Sequence, residues 1–201
     1  MGKGQLTRGR ILDEALERVA TTGFAGLSIG ALADATGLSK SGLFAHFGSK
    51  DELELALVGA VIDRFRREVA EPGLAGAPGA AQLAGVLERW IAWSRAHPQG
   101  CPLVAATFEF DTRSGPARER LAEAWTRWRA ALRRAATRAQ TADGIMAPPD
   151  QVVAVIVGAY LTQHLERVLL GDLAAGERAV KTLRAALDAR ATPADNATRH
   201  S

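Results

Sequence analysis

The chain has 201 residues, 47% of them hydrophobic and 23% charged, and a formal net charge of +3 at neutral pH. This length suits one compact unit or two small ones, with ample residues for a hydrophobic core. The mild positive charge is compatible with a nucleic-acid partner but equally with a solvated surface. The single cysteine excludes an intrachain disulfide framework and suits a reducing compartment.

The composition also predicts the class of fold. Alanine and leucine are abundant and β-branched runs are largely confined to residues 152–157, so we expect an all-α protein. The N-terminus lacks the apolar stretch of a secretory signal. The longest apolar run, Val152–Leu161, is shorter than the about 20 residues needed to span a bilayer. We therefore expect a soluble cytoplasmic protein without a membrane partner.

The first predicted element is an amphipathic helix. Thr7 is predicted to cap it and Gly23 to end it. Its apolar residues follow the helical period and are Ile11, Leu12, Ala15, Leu16, Val19 and Ala20.

Residues 28–47 predict two short helices joined by a tight turn. Ser28 can accept a free backbone N–H of the first helix, and Gly37 can adopt the positive φ that turns the chain. In the second helix Leu43 and Phe47, four residues apart, point to the core. This is the layout of a helix-turn-helix, which offers its second helix to the major groove of DNA.

The outer face of the second helix carries the candidate DNA contacts. Lys40 and Ser41 are placed for phosphates or base edges, and Gly42 permits a close backbone approach. Residues 49–52 predict a capping box that opens the next helix, where Lys50 lies beside free N–H groups that favour a phosphate. The residues predicted to contact DNA are Arg8, Ser28, Ser39, Lys40, Ser41, Gly42, Phe44, Ala45, His46 and Lys50.

The remainder of the chain predicts a larger helical body. A linking helix spans 49–71, and the Gly/Ala/Pro-rich stretch 72–80 predicts a loop. We place an N-terminal helix-turn-helix domain at 1–50 and a C-terminal helical domain at 72–191, followed by a disordered tail at 192–201. The helices predicted in the body run from about 83 to 96, from 103 to 110, from 117 to 140, from 150 to 170 and from 176 to 189.

Large aromatic side chains on separate body helices could converge on a small-molecule site. The candidate ligand-binding residues are Trp90, Phe108, Trp125, Trp128, Tyr160 and His164. Ordinary core packing is the competing interpretation for each of them. Trp125 and Trp128, together with Tyr160 and His164, form the best candidate cluster. Glu109 and Asp111 could pair with a cationic ligand, although acidic residues near a helix end are commonly solvated.

The last two predicted helices suggest a homodimer. Residues 152–161 are apolar on nearly every side of their helix, so this helix must be buried all round. One face can pack on the body and the other on a symmetry mate, which gives a homodimer through helices 150–170 and 176–189. Val180, Leu183 and Leu187 would join the resulting four-helix bundle. Alternatively, this helix is the central helix of a monomer.

Catalytic signatures are weak in this sequence. Its four histidines are scattered, the lone cysteine lacks an evident base, and neither metal-ligand spacing nor a glycine-rich phosphate loop is present. We therefore expect no enzyme activity, no metal and no cofactor. Cys101 at a helix start could be an activated thiol, but a buried structural cysteine is the simpler interpretation. The arginines of helix 117–140 spread around it, which favours a solvated face over a second DNA surface.

Residues 7–57 form one uninterrupted block that resembles the tetracycline-repressor (TetR) family of bacterial transcription regulators. The resemblance implies a three-helix DNA-binding head and a larger helical body that dimerises and holds an effector pocket. Phe44 departs from the family, which usually has a tyrosine there whose hydroxyl touches a phosphate. His46 matches a position that often contacts phosphate, but it could equally cap its helix. The hallmarks are Gly23-Phe24, Ser28-Ile29, Ala33, 37–40 and 43–53.

Motif and resemblance together predict a DNA-binding transcription regulator. We expect a homodimeric repressor that a small-molecule effector releases from a palindromic operator. An activator, or a regulator without an effector, remains open within this class. A helical interaction module that no longer reads DNA has Phe44 in its favour, while Lys40, His46 and Lys50 argue against it.

Overall fold

The computed structural model describes residues 3–97 and 100–188, and every regular element in those ranges is helical. The predicted all-α class is therefore confirmed. The elements are α1 (Lys3–Thr22), α2 (Ile29–Thr36), α3 (Lys40–Phe47), α4 (Lys50–Phe65), a π-helical turn (Arg66–Ala70), α5 (Glu71–Leu74), α6 (Ala80–Arg95), α7 (Pro102–Phe110), α8 (Pro116–Asp143), α9 (Pro149–Leu170) and α10 (Ala175–Asp188).

These helices form two compact units. The first contains the described residues of Met1–Glu68 and Trp93–Arg127, and the second those of Val69–Ala92 and Trp128–Ser201. The predicted limits at 1–50 and 72–191 follow sequence motifs and do not coincide with these units. In particular, α7 and the beginning of α8 belong to the same unit as the helix-turn-helix.

The predicted start of the first helix is wrong. α1 begins at Lys3, so Thr7 lies inside the helix and does not cap it. Residues 3–6 contain no proline, and a threonine is only mildly unfavourable in a helix, so the helix extends beyond the apparent cap. The core formed by α1 to α4 includes Ile11, Ala15, Leu16, Val19, Phe24, Leu27, Leu32, Leu43, Phe47, Leu53 and Leu57.

The predicted loop at 72–80 is also partly wrong. After α4 the chain makes a π-helical turn and then the short helix α5, so only residues 75–79 are irregular. Pro72 lies in the first turn of α5, where its missing N–H would have no helical partner in any case. A proline that predicts a break can therefore also begin a helix.

The other body helices follow the predicted pattern, with ends that differ by a few residues. α8 is four residues longer than the predicted span 117–140, and α9 begins at Pro149 because proline is compatible with the first helical position. The predicted tail at 192–201 lies outside the described residues.

Helix α9 is long and apolar enough to cross a membrane by length and composition alone. Only 28% of its most apolar window is buried inside the chain. One such helix is weak support for a membrane span, because a helix covered by a protein partner has the same composition. Much of this apolar helix is thus not covered by its own chain.

Candidate DNA interface and effector site

The helix-turn-helix is built by local caps. The hydroxyl of Ser28 accepts the backbone N–H of Ala31 at 3.0 Å, and Gly37 ends α2 with a φ of +68°. The hydroxyl of Ser39 accepts the N–H of Gly42 at 3.0 Å and begins α3. The predicted cap at Ser28 and turn at Gly37 are confirmed, whereas Ser39, predicted only as a DNA contact, also caps α3. Leu43 and Phe47 are both buried, as predicted, so α3 turns its opposite face to solvent.

That solvent face carries most of the predicted DNA contacts. Lys40, Ser41, Phe44 and Ala45 are exposed, and His46 is half-buried in the last turn. A side chain at Gly42 would crowd the cap, because its Cβ would lie 3.2 Å from the Ser39 hydroxyl oxygen. The exposed face of α3 therefore has polar side chains at its N-terminal end, and the small residues Gly42 and Ala45 further along.

Two basic side chains are held beside this face. The guanidinium of Arg8 lies 4.7 Å from the centre of the Phe47 ring, which is a cation–π distance. The Lys40 stem lies along α2, since a Cβ at Gly30 would be 3.4 Å from Lys40 Cε. Lys40 thus lies at the N-terminal end of α3 and Arg8 beside its C-terminal residue Phe47, so both ends of the helix carry a positive charge that can bind phosphate.

Lys50 belongs to a charged cluster that the sequence analysis missed. Ser49 caps α4 by accepting the N–H of Glu52 at 3.1 Å, as predicted. Lys50 Nζ lies 3.7 Å from one carboxylate oxygen of Glu54, whose other oxygen accepts a 2.5 Å hydrogen bond from Arg113 Nη2. Glu54 is only 4% exposed. The four-residue spacing of Lys50 and Glu54 could have predicted their ion pair, whereas nothing in the sequence indicated the contact with the distant Arg113.

Glu109 also connects α7 to the helix-turn-helix unit. Its Oε2 accepts the backbone N–H of Phe24 at 2.9 Å, in the turn between α1 and α2. The rings of Phe24 and Phe110 meet edge to face, with centres 5.2 Å apart. Glu109 is therefore committed to a contact inside its own unit. That contact uses one carboxylate oxygen, whereas the other, Oε1, is buried without a hydrogen-bond partner among the described residues, so pairing with a cationic ligand stays a prediction.

The second unit brings several candidate ligand residues together. The ring of Trp90 is fully buried and lies parallel to that of Tyr160, with ring centres 3.8 Å apart. Trp128 meets Trp90 edge to face at 6.0 Å, and His164 lies 6.1 Å from Tyr160. Burial, and secondarily the charge of Arg167, lowers the pKa of His164. This imidazole is thus predominantly neutral at pH 7 and can both donate and accept.

Trp125 and Phe108 belong to the first unit. Trp125 Nε1 donates to the Thr107 hydroxyl at 2.7 Å. Phe108 is 60% exposed, so it is not part of a packed core. The candidates thus fall into two groups. Trp90, Trp128, Tyr160 and His164 form a cluster in the second unit, and Trp125 pairs with Thr107 in the first. Their role in ligand binding stays a prediction.

Helices α9 and α10 enclose a groove of about 370 Å³. Gln163 lines it, is 1% exposed, and has no hydrogen-bond partner for its amide among the described residues. Arg178 closes one side by bonding Glu166 at 2.8 Å and Asp172 at 2.5 Å, which lowers the pKa of Asp172. The other lining residues are mostly small: Val155, Gly158, Ala159, Thr162, Ala175, Ala179 and Thr182.

The remaining candidates have structural contacts. Cys101 is buried at the start of α7. On α8, Arg120 and Arg127 pair with Glu123 and Arg133 pairs with Asp150, which fits the solvated face expected there. Among residues 3–97 and 100–188, no group of three or more histidine, cysteine or acidic side chains could hold a metal ion.

Family models match both halves of the chain. One, described as bacterial regulatory proteins of the tetR family, matches residues 11–57. Another, described as a tetracyclin repressor-like C-terminal domain, matches residues 79–183. The HTH-type transcriptional repressor AcnR of Corynebacterium efficiens is 38% identical over 68 residues. That match covers 34% of this chain and only 36% of AcnR.

Solved structures share the fold along most of the chain. A TetR transcriptional regulator from Chloroflexus aurantiacus is 27% identical with a TM-score of 0.81, over 92% of this chain and 95% of its own. AibR, solved in complex with isovaleryl coenzyme A and operator DNA, is 18% identical with a TM-score of 0.70. That likeness covers 90% of this chain and 97% of AibR and concerns the fold alone.

Proposed function

Because this chain belongs to the TetR family of DNA-binding transcription regulators, we propose that it is a homodimeric repressor that leaves its operator when a small-molecule effector binds. The observation that carries the proposal is the capped helix α3, which buries Leu43 and Phe47 and turns Lys40, Ser41 and Phe44 to solvent. Such a protein acts where bacterial DNA lies, in the cytoplasm.

The DNA contacts divide into two groups. The exposed face of α3, with Ser41, Phe44 and Ala45, would enter the major groove and meet base edges. Arg8, Lys40 and Lys50 would bind phosphates on both sides of the groove and fix the register of the helix. Phe44 has no hydroxyl, so its ring would lie against sugar and backbone without a phosphate hydrogen bond.

A dimer is supported by the surface of α9. Several large apolar side chains at its C-terminal end are exposed, and the groove beside it holds an amide without a partner in the described chain. A second copy would cover these apolar side chains and remove them from water, which favours association. The exposed apolar residues are Leu165, Val168, Leu169, Leu170 and Leu173.

An effector site is supported by the aromatic cluster of the second unit. Trp90, Trp128 and Tyr160 supply apolar surface, and His164 supplies a neutral polar group. AibR, which shares this fold, was solved in complex with both isovaleryl coenzyme A and operator DNA, so a chain of this fold can carry an effector site as well as a DNA site. Effector and DNA must weaken each other's binding by one shared coupling free energy.

Selection of bound DNA from a random duplex pool tests this function. We expect purified protein to recover an inverted repeat whose half-sites lie about 10 bp apart, or a multiple of that, since a two-fold dimer presents two α3 helices. Recovery of a single unrepeated half-site would contradict the dimer. Recovery of no enriched sequence would contradict operator binding.

Lys50→Ala provides a sharper test of the phosphate contacts. We expect this change to weaken binding to all duplexes alike and to reduce the slope of log K against log salt concentration by about 1. Fluorescence anisotropy with the selected duplex, across a salt series, measures both quantities. The preferred bases should stay the same.

The matched control is Lys181→Ala, which removes the same charge from an exposed position on α10. We expect it to leave the salt slope unchanged. If Lys50→Ala altered the preferred bases while the slope stayed at the wild-type value, Lys50 would read bases and not phosphates.

A further inference from the structure

We propose that the C-terminal end of α7 and the three residues after it form a latch, in which Arg113 holds the buried carboxylate of Glu54 and thereby keeps Lys50 available for a DNA phosphate. This α7 latch consists of Glu109, Phe110 and Arg113. The inference rests on the phosphate contact of Lys50 proposed above. It assigns to Glu54 and Arg113 a positioning role in DNA binding, since neither residue needs to touch DNA.

The latch is anchored on the turn between α1 and α2. Glu109 accepts the backbone N–H of Phe24 at 2.9 Å, and Phe110 packs edge to face on the Phe24 ring. The guanidinium of Arg113 lies 4.2 Å from the centre of the Phe110 ring, which restricts its orientation. Arg113 therefore reaches Glu54 from a fixed base on the helix-turn-helix unit.

Glu54 has two cationic neighbours at unequal distances. Arg113 Nη2 makes a charge-assisted hydrogen bond of 2.5 Å with Oε2, whereas Lys50 Nζ is 3.7 Å from Oε1 and beyond hydrogen-bond distance. A carboxylate that is 4% exposed requires a close counter-charge, because an unpaired buried charge is strongly unfavourable. Arg113 meets this requirement, so the ammonium group of Lys50 can turn outward.

Loss of the Arg113 contact would reverse this arrangement. Glu54 would be left with Lys50 as its nearest cation, and the desolvated carboxylate would draw the ammonium group toward itself. The ammonium group of Lys50 would then form an ion pair with Glu54 and would no longer be available to bind a DNA phosphate. DNA binding would lose one contact between a cation and a phosphate, while α3 itself would not change.

The latch is also connected to α8 within the same unit. Trp125 Nε1 donates to the Thr107 hydroxyl at 2.7 Å, and that hydroxyl donates to the Leu103 carbonyl at 2.7 Å. A displacement of α8 at Trp125 would therefore act on α7 at Thr107, two residues before Glu109. This places the predicted effector residue Trp125 two hydrogen bonds from the backbone of the helix carrying the latch.

The test compares Arg113→Gln with the double variant E54Q/R113Q on the duplex that wild-type protein selects from a random pool. We expect Arg113→Gln to weaken binding by about tenfold and to reduce the salt slope by about 1, as the loss of one phosphate contact does. The double variant should return to within about twofold of wild type, because the neutral amide that replaces the Glu54 carboxylate no longer competes for Lys50.

Two outcomes would overturn the latch. One is an unchanged affinity and salt slope in Arg113→Gln, and the other is a double variant that binds as weakly as the single one, as a purely structural contact predicts. Arg127→Gln, an exposed arginine on α8 with a partner on its own helix, is the matched control and should bind as wild type. Circular dichroism confirms that each variant is folded.

Comparison with Lys50→Ala and with wild-type protein separates failure of the latch from failure of the proposed function. If Arg113→Gln does not fold, the double variant is compared with Lys50→Ala, and equal weakness of the two overturns the latch. If Lys50→Ala weakens binding while the latch variants behave as wild type, the latch fails and the proposed function stands. If wild-type protein selects no duplex, the proposed function itself fails.

Discussion

Replacing Gly158 with arginine is expected to convert the proposed dimer into a folded monomer and to weaken operator binding by at least about 100-fold. Gly158 is exposed on α9 and lines the groove beside α10. A Cβ there meets nothing within 4 Å, so the chain itself accommodates a side chain. Removing a glycine from a helix interior even favours the helix by about 1 kcal/mol.

The proposed dimer would not accommodate this side chain. The two-fold axis would bring an arginine from each copy into an apolar interface, where an unpaired charge is strongly unfavourable. A monomer presents one α3 helix and loses the effective-concentration gain of the second half-site, which is commonly about 100-fold or more. Sedimentation equilibrium gives the mass, and anisotropy with the selected duplex gives the affinity.

Gly85→Arg is the matched control for this experiment. Gly85 is also a helical glycine in the second unit, and a Cβ there likewise meets nothing within 4 Å. We expect this variant to remain dimeric and to bind DNA. A Gly158→Arg protein that still sediments as a dimer would show that the face of α9 containing Gly158 is not the interface.

Trp90→Ala is expected to lower the free energy of unfolding by about 3–5 kcal/mol. The Trp90 ring is fully buried, stacks on Tyr160 and meets the edge of Trp128, so its removal leaves a large cavity between two other aromatic rings. This loss is a large part of the total stability of a typical domain. Urea unfolding followed by circular dichroism, at one fixed protein concentration, measures it.

Two variants define the scale of this effect. Trp90→Phe keeps an aromatic ring against Tyr160 and should cost less than the alanine variant. Phe108→Ala removes an exposed ring and should change the free energy of unfolding by no more than about 0.5 kcal/mol. If Trp90→Ala cost no more than Phe108→Ala, the Trp90 ring would not be packed between Tyr160 and Trp128 as the structure has it.

The helix-turn-helix was readable from the sequence because its determinants are local. Each cap joins residues three positions apart, as Ser28 to Ala31 and Ser39 to Gly42 do. The turn at Gly37 depends on the φ of one residue. These short-range signals misled at Thr7, which lies inside α1 and does not cap it, and at Pro72, which lies in the first turn of α5 and does not end a helix.

The aromatic candidates show where sequence patterns become ambiguous. Trp90, Trp128 and Tyr160 were predicted to converge because they are large aromatic residues on separate body helices, and their rings do meet in one unit. The same reasoning included Phe108, which is exposed. Periodicity indicates the face of a helix but not the neighbour that covers it.

The sequence by itself thus determined the helices, their caps and the exposed side of α3, because these depend on neighbours within one or two helical turns. Only the tertiary structure decided which distant groups meet, such as Arg113 with Glu54, 59 positions apart, and Glu109 with Phe24, 85 positions apart. Those pairs depend on how α7 and the residues that follow it pack against α4 and against the turn between α1 and α2, and the sequence around an ionisable residue does not reveal its distant partner.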